Sequence, residues 1–196
     1  MYDDNYIHPS AIIDRNVKLG SGNHIGPFCV ITGKTVIGNC NRFEGFCSIG
    51  TPPEHREYWA GKYDGGVKIG DNCTIREYVT INSGTKQDTI VGDDVVILRG
   101  AHVGHDAIVL SKATISCNVL IGGHATVGAH ANLGLGCIIH QNQTIARGCM
   151  IGMGAVVTKK LITEPFKTYV GNPARLLGDN TKHPNYTIFM QQYPGE

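Results

Sequence analysis

The stretch Ala101-His102-Val103-Gly104-His105-Asp106-Ala107-Ile108-Val109-Leu110-Ser111-Lys112-Ala113-Thr114-Ile115 holds the reading of the whole chain. Val103, Val109 and Ile115 stand six apart, and an alanine precedes each by two residues. A period of six fits neither the helical turn of about 3.6 residues nor the strict alternation of a half-buried strand. Followed outwards, it runs unbroken from Val91 through Ile97, Val103, Val109, Ile115, Ile121, Val127, Leu133, Ile139, Ile145 and Ile151 to Val157. Upstream it holds at Ile7, Ile13, Leu19, Ile25, Ile31, Ile37, Phe43 and Ile49, and again at Ile69, Ile75 and Ile81. Twenty-three positions obey the rule.

The position four residues after each aliphatic is small or medium-sized, as at Ala101, Ala107, Ala113, Ala125, Ala131 and Ala155. Five of the seven cysteines occupy it: Cys29, Cys47, Cys73, Cys137 and Cys149. They read as compact apolar fillers of a narrow interior, with Cys40 and Cys117 outside the slot. Glycine, at 26 residues, is over-used and often follows the aliphatic directly, as at Gly104, Gly122 and Gly128, which implies many tight corners. The pattern resembles the hexapeptide-repeat family of left-handed parallel β-helices. That resemblance implies an all-β fold in which three hexads make one triangular coil and axial neighbours are eighteen residues apart. Twenty-three hexads then make between seven and eight coils. Such a fold is a known exception to right-handed crossover.

Two interruptions mark excursions from the prism. One runs over 51–66 and contains Pro52, Pro53, Trp59 and Tyr63; the other is short, around Lys86 to Thr89. Long loops on a rigid solenoid are usually functional. The expected division is a β-helix over 1–162 and a short C-terminal extension over 163–196, its last part, from Leu176, irregular or weakly helical.

Lysine and arginine total 17 and aspartate and glutamate 16, so a formal charge of +1 gives no reason to expect nucleic acid as a partner. The cysteine count is odd and lacks CxxC spacing. The N-terminus shows no apolar signal segment, and no run of about 18 apolar residues offers a transmembrane span. A reducing cytoplasm is the expected location.

The eighteen-residue coil decides which histidines meet. His105, Gly123 and Gln141 are one coil apart in turn; so are Asp106 and His124, and Gly122 and His140. His105, Asp106, Gly123, His124, His140 and Gln141 are therefore expected along one edge of the prism, with His102 at a different hexad position. An isolated corner histidine, such as His24 or His130, reads as solvated surface. The clustered ones suit acyl transfer, in which an acceptor must lose a proton as it attacks a thioester and a histidine titrating near neutrality is the natural base. Asp106 is placed to bias the imidazole, although neighbours on a strand point apart. The Gly123 N–H can approach an oxyanion closely.

Ile7-His8-Pro9-Ser10-Ala11-Ile12, Ile75-Arg76-Glu77-Tyr78-Val79-Thr80-Ile81 with Gly84-Thr85, and Ala101-His102-Val103-Gly104-His105-Asp106 resemble the UDP-N-acetylglucosamine O-acyltransferase family over roughly residues 7 to 160. The resemblance implies a catalytic group of His105 as general base, Asp106 as its neighbouring acid and Gly123 as backbone donor to the thioester carbonyl. It implies substrate contacts at His102, His124, His140, Gln141 and Glu57, and acyl-length control at Met153. It implies no bound cofactor or metal. The co-substrate is a thioester of acyl carrier protein or CoA, the acceptor is a nucleotide-linked sugar, and the assembly is a homotrimer whose loop at 51–66 reaches a neighbour. In that loop Glu54-His55-Arg56-Glu57-Tyr58-Trp59-Ala60-Gly61 departs from the family's Asp-x-Lys-Tyr-Ala-Gly-like form. The segment Gly171-Asn172-Pro173-Ala174-Arg175 looks instead like the exit of acetyl-CoA-dependent sugar acetyltransferases, which makes one of these in surface-polysaccharide synthesis the alternative. Two further readings are a carbonic-anhydrase-like metalloenzyme with three histidines on a metal, for which the His124–His130 spacing does not match, and a non-catalytic scaffold.

Overall fold

The computed structural model describes residues 4–57 and 64–192. Each of the twenty-three repeated aliphatics lies in its own short strand, from Tyr6–Ile7 to Val156–Val157. Most of these strands are two residues long, because a hexad leaves room only for a strand and a corner. The strands fall in rotation into three parallel sheets, which are the three faces of a left-handed β-helical prism. Register follows the coil: Val103 pairs with Ile121 and Ile121 with Ile139. Where an excursion intervenes the chain rejoins in phase, so Phe43 pairs with Ile75 across the first and Ile75 with Ile97 across the second.

The interior is a stack of aliphatic rungs. Ile25, Ile31, Ile75, Ile97, Val103, Ile121 and Ile145 are fully buried, and Cys29, Cys47, Cys73, Cys137 and Cys149 fill the small slot as expected. Burial drives the Cys73 and Cys149 thiols up to about 11 and Cys137 to about 12. Such thiols are inert packing groups.

Some glycines make the tight corners that composition suggests, as Gly22, Gly100, Gly136, Gly148 and Gly154 do at positive φ, and others serve a second purpose. The left-handed corner residue sits three positions after the aliphatic and is often not glycine: Asp106, His124 and Asn142 have φ of 60°, 59° and 60°. The glycine directly after the aliphatic is needed because the next coil is too close. A Cβ on Gly122 would stand 2.6 Å from the backbone N of Gln141.

Beyond Val157 the chain returns to the prism. Lys167–Val170 pairs in parallel with Met150–Ile151, and Arg175–Asp179 folds back antiparallel on it. Leu176 to Asp179 is thus strand rather than irregular chain, because the new sheet edge formed by Lys167–Val170 still offers backbone partners. A helix follows at Tyr186–Gln192. Tyr169 and Phe166, each 2% exposed, close the end of the core. No helix among the described residues is long and apolar enough to cross a membrane.

Candidate active site

One corner, over three consecutive coils, brings the charged and histidine side chains together. His124 N–H donates to the His105 carbonyl at 2.9 Å, and Asn142 N–H to the Gly123 carbonyl at 2.9 Å. These bonds lock residues 105, 123 and 141 into one column and 106, 124 and 142 into the next.

His105 Nδ1 lies 2.7 Å from Asp106 Oδ2. Adjacent residues on a strand would diverge, but Asp106 is not on one: its positive φ swings the carboxylate back under its neighbour. Asp106 is 1% exposed and holds four further donors. Oδ2 accepts from Thr85 N–H and Thr85 Oγ1–H, both at 2.8 Å, and Oδ1 from the N–H groups of Lys86 and Gln87 at 2.7 and 2.9 Å. Burial opposes its charge. The His105 contact and the three backbone N–H groups outweigh burial and hold the carboxyl well below the usual range. The excursion after Thr85 is therefore the lining of a carboxylate pocket, a role that spacing alone did not disclose.

Because an ionised carboxylate only accepts, Asp106 fixes the proton of neutral His105 on Nδ1 and leaves Nε2 as the basic nitrogen. That side of the ring lies against Gly123: a Cβ there would meet Cε1 and Nε2 at 2.8 Å. Gly123 is glycine to make room for the imidazole, and its N–H takes no backbone or side-chain partner among the described residues. At the matching position of other corners, a side-chain oxygen from the next coil fills this place, as Asp93 Oδ1 does for Asp71 N–H at 2.9 Å. Here the next coil offers Gln141, which lines the cleft.

The cleft has a volume of about 450 Å³, with Glu54, Asn82, His102, His105, Gly123 and Gln141 as its polar lining and Leu120, Ile121, Ile138 and Ile139 as its apolar wall. His102 joins the cleft although its hexad position set it apart. It begins the strand His102–Val103 that runs into this corner, and Thr80 Oγ1 holds its Nδ1 at 2.8 Å. Burial lowers its pKa. His124 stands edge-on to His105 with ring centres 5.0 Å apart, and its Nε2 is 3.8 Å from Asp106. His140 is exposed, with Nδ1 2.8 Å from the Gln141 carbonyl. Met153 is 73% exposed and stands on another edge, outside the cleft. Glu57 is exposed and does not line the cleft; Glu54 does. The same loop sets His55 edge-on to His105, with ring centres 5.8 Å apart. Sequence reading missed Glu54, His55, Asn82 and Thr85 to Gln87. Tyr58, Trp59, Ala60, Gly61 and Tyr63 lie outside the described residues.

His105, Asp106 and His124 present ligand atoms within 4.8 Å of one another. The Asp106 oxygens already take donors from His105, Thr85, Lys86 and Gln87, so a metal there would have to displace them. The group fits a hydrogen-bond network better than a metal cradle.

No family model matches the chain. Among curated proteins, the acyl-[acyl-carrier-protein]–UDP-N-acetylglucosamine O-acyltransferase of Janthinobacterium sp. is 41% identical over 118 residues, which is 50% of this chain and 44% of that protein. Its counterpart from Aquifex aeolicus is 47% identical over 58 residues, 28% of this chain and 22% of that protein. Among solved structures, the UDP-N-acetylglucosamine acyltransferase of Campylobacter jejuni superposes with a TM-score of 0.82 at 27% identity, covering 95% of this chain and 77% of that one. The chain resembles the UDP-N-acetylglucosamine O-acyltransferases. The Francisella novicida acyltransferase extends the likeness, with a TM-score of 0.79 at 29% identity over 90% of this chain and 71% of that one. The chain spans less than half the length of the curated acyltransferases it matches.

Proposed function

We propose that the protein is an acyltransferase that moves an acyl group from a thioester of acyl carrier protein to a hydroxyl of a nucleotide-linked sugar, with UDP-N-acetylglucosamine as the first acceptor to test. The observation that carries the reading is the His105–Asp106 pair: a buried, ionised carboxylate on Nδ1 leaves Nε2 basic beside an open N–H at Gly123. His105 Nε2 takes the acceptor proton as the oxygen attacks the thioester carbonyl. The oxyanion forms against the Gly123 N–H. Collapse expels the thiol, which leaves with the proton held by the imidazolium. His102, His124, His140 and Gln141 contact the substrates, with Glu54 and His55 added to them from the loop.

The reading includes a homotrimer in the cytoplasm. Leu120 and Ile138, 45% and 40% exposed, are neighbours on the sheet face that also carries His102, and together they offer an apolar surface suited to burial against other copies. Sedimentation at several concentrations tests the assembly.

Activity is tested by incubating the protein with UDP-N-acetylglucosamine and a panel of UDP- and dTDP-amino sugars. Each is paired with acetyl-CoA and with short and long 3-hydroxyacyl carrier proteins, and products are read by mass spectrometry. Product that disappears in His105→Ala supports the reading; turnover with acetyl-CoA alone turns it toward the sugar acetyltransferases, whose exit segment Gly171-Asn172-Pro173-Ala174-Arg175 resembles. No product from any pair by a folded trimer overturns it.

A further inference from the structure

The described residues contain one buried side-chain nitrogen or oxygen with no hydrogen-bond partner, Asn82 Oδ1. Asn82 is 5% exposed at the end of the strand Thr80–Asn82. Its amide orientation is fixed, because Nδ2 donates to the Pro52 carbonyl at 3.0 Å, and a carbonyl can only accept. A weaker contact from Nδ2 reaches Thr51 Oγ1 at 3.4 Å. Flipping the amide would set two carbonyl oxygens against each other. Oδ1 is thereby the free end, and Asn82 lines the same cleft as His102, His105 and Gly123.

Buried acceptors in folded proteins are nearly always paired, and one left orphaned in a cleft calls for a partner from outside the chain. The surroundings say of what kind. Glu54 lines the same cleft and is a second acceptor. Phosphate oxygens carry no donors and are repelled by both groups, whereas a sugar ring offers hydroxyl and amide donors on several sides.

We infer that Asn82 Oδ1 accepts a hydrogen bond from a hydroxyl or amide N–H on the sugar ring of the acceptor, which makes Asn82 a positioning residue that sets which way the nucleotide sugar enters. The ring faces Asn82 and Glu54 and the diphosphate points away from them. This rests on the nucleotide-sugar reading above and adds to it the pose of the sugar.

The test is a binding cycle read by calorimetry. Wild type, Asn82→Leu and the milder Asn82→Ser are titrated with UDP-N-acetylglucosamine, with UDP, and with analogues of the sugar nucleotide that each lack the acetamide or one ring hydroxyl. In the wild type, removal of one particular donor weakens binding about ten-fold, the cost of leaving a buried acceptor unpaired. In either variant the same removal costs nothing further. Loss of the Pro52 bond disturbs the loop and weakens every analogue alike, so it cannot produce this selective coupling. Equal discrimination by wild type and variants overturns the inference while leaving the acceptor reading in place. Wild-type binding of UDP-N-acetylglucosamine no tighter than that of UDP overturns both.

Discussion

Asp106 Oδ2 stands 2.7 Å from His105 Nδ1, a contact between neighbours in sequence that exists because Asp106 occupies a left-handed corner at φ 60°. The pair, with Nε2 left basic, is the arrangement a general base requires. His105→Ala is expected to lower acyl transfer by about a hundred- to ten-thousand-fold while the melting temperature stays near wild type. His105→Gln, which keeps a polar group but no base, should be equally inactive. Single-turnover rates with a 3-hydroxyacyl carrier protein decide it; retained chemistry in both variants removes His105 from the reaction.

Asp106 also carries stability. Its carboxyl titrates below the ordinary range when folded, so the unfolded chain binds the proton more readily. Its contribution is complete above the unfolded value of about 4 and is lost as pH falls through that value towards the lower folded one. Urea midpoints measured at pH about 7 and about 3 should therefore fall more for wild type than for Asp106→Asn, which is already weakened at neutral pH. Parallel lines for the two proteins would assign the acid sensitivity to other groups.

Gly123 faces a steric limit set by a side chain, Gly122 one set by backbone. Gly123→Ala is expected to displace the His105 ring and cut turnover by about a hundred-fold with little change in stability. Gly122→Ala presses on the Gln141 backbone and should instead lower stability, by about 1–3 kcal/mol. Thermal melts beside turnover separate the two. A fully active Gly123→Ala would show that the ring need not lie where it does.

Met153 lies on a prism edge away from the His105 cleft and is 73% exposed. A length limit at this residue therefore requires a second copy of the chain to bring it near the acyl group. Met153→Gly is expected to move the preference towards longer 3-hydroxyacyl donors in a donor-length series. An unchanged preference counts against both the limit and that arrangement.

The coil was legible because it rests on repetition. A period of six with a small or medium-sized residue two places before most of the aliphatics admits one packing, and Val103, Ile121 and Ile139 stack as counted. Residues joined by the coil, His105 with Gly123 and Asp106 with His124, followed from the same arithmetic. His102 did not, since the count fixes a hexad position but not how far a side chain reaches around a corner.

What the sequence by itself determined is the prism: its rungs, its faces and the edge on which the histidines gather. These depend on local, recurrent burial of apolar side chains. The partners that come from excursions, where no period applies, were decided by tertiary structure alone. Thr85, Lys86 and Gln87 reach Asp106 from about one coil away, and Glu54 and His55 reach the cleft from a loop some fifty residues before His105. A loop's path is set by which buried polar group needs its N–H donors, and that need appears only when the carboxylate is already enclosed.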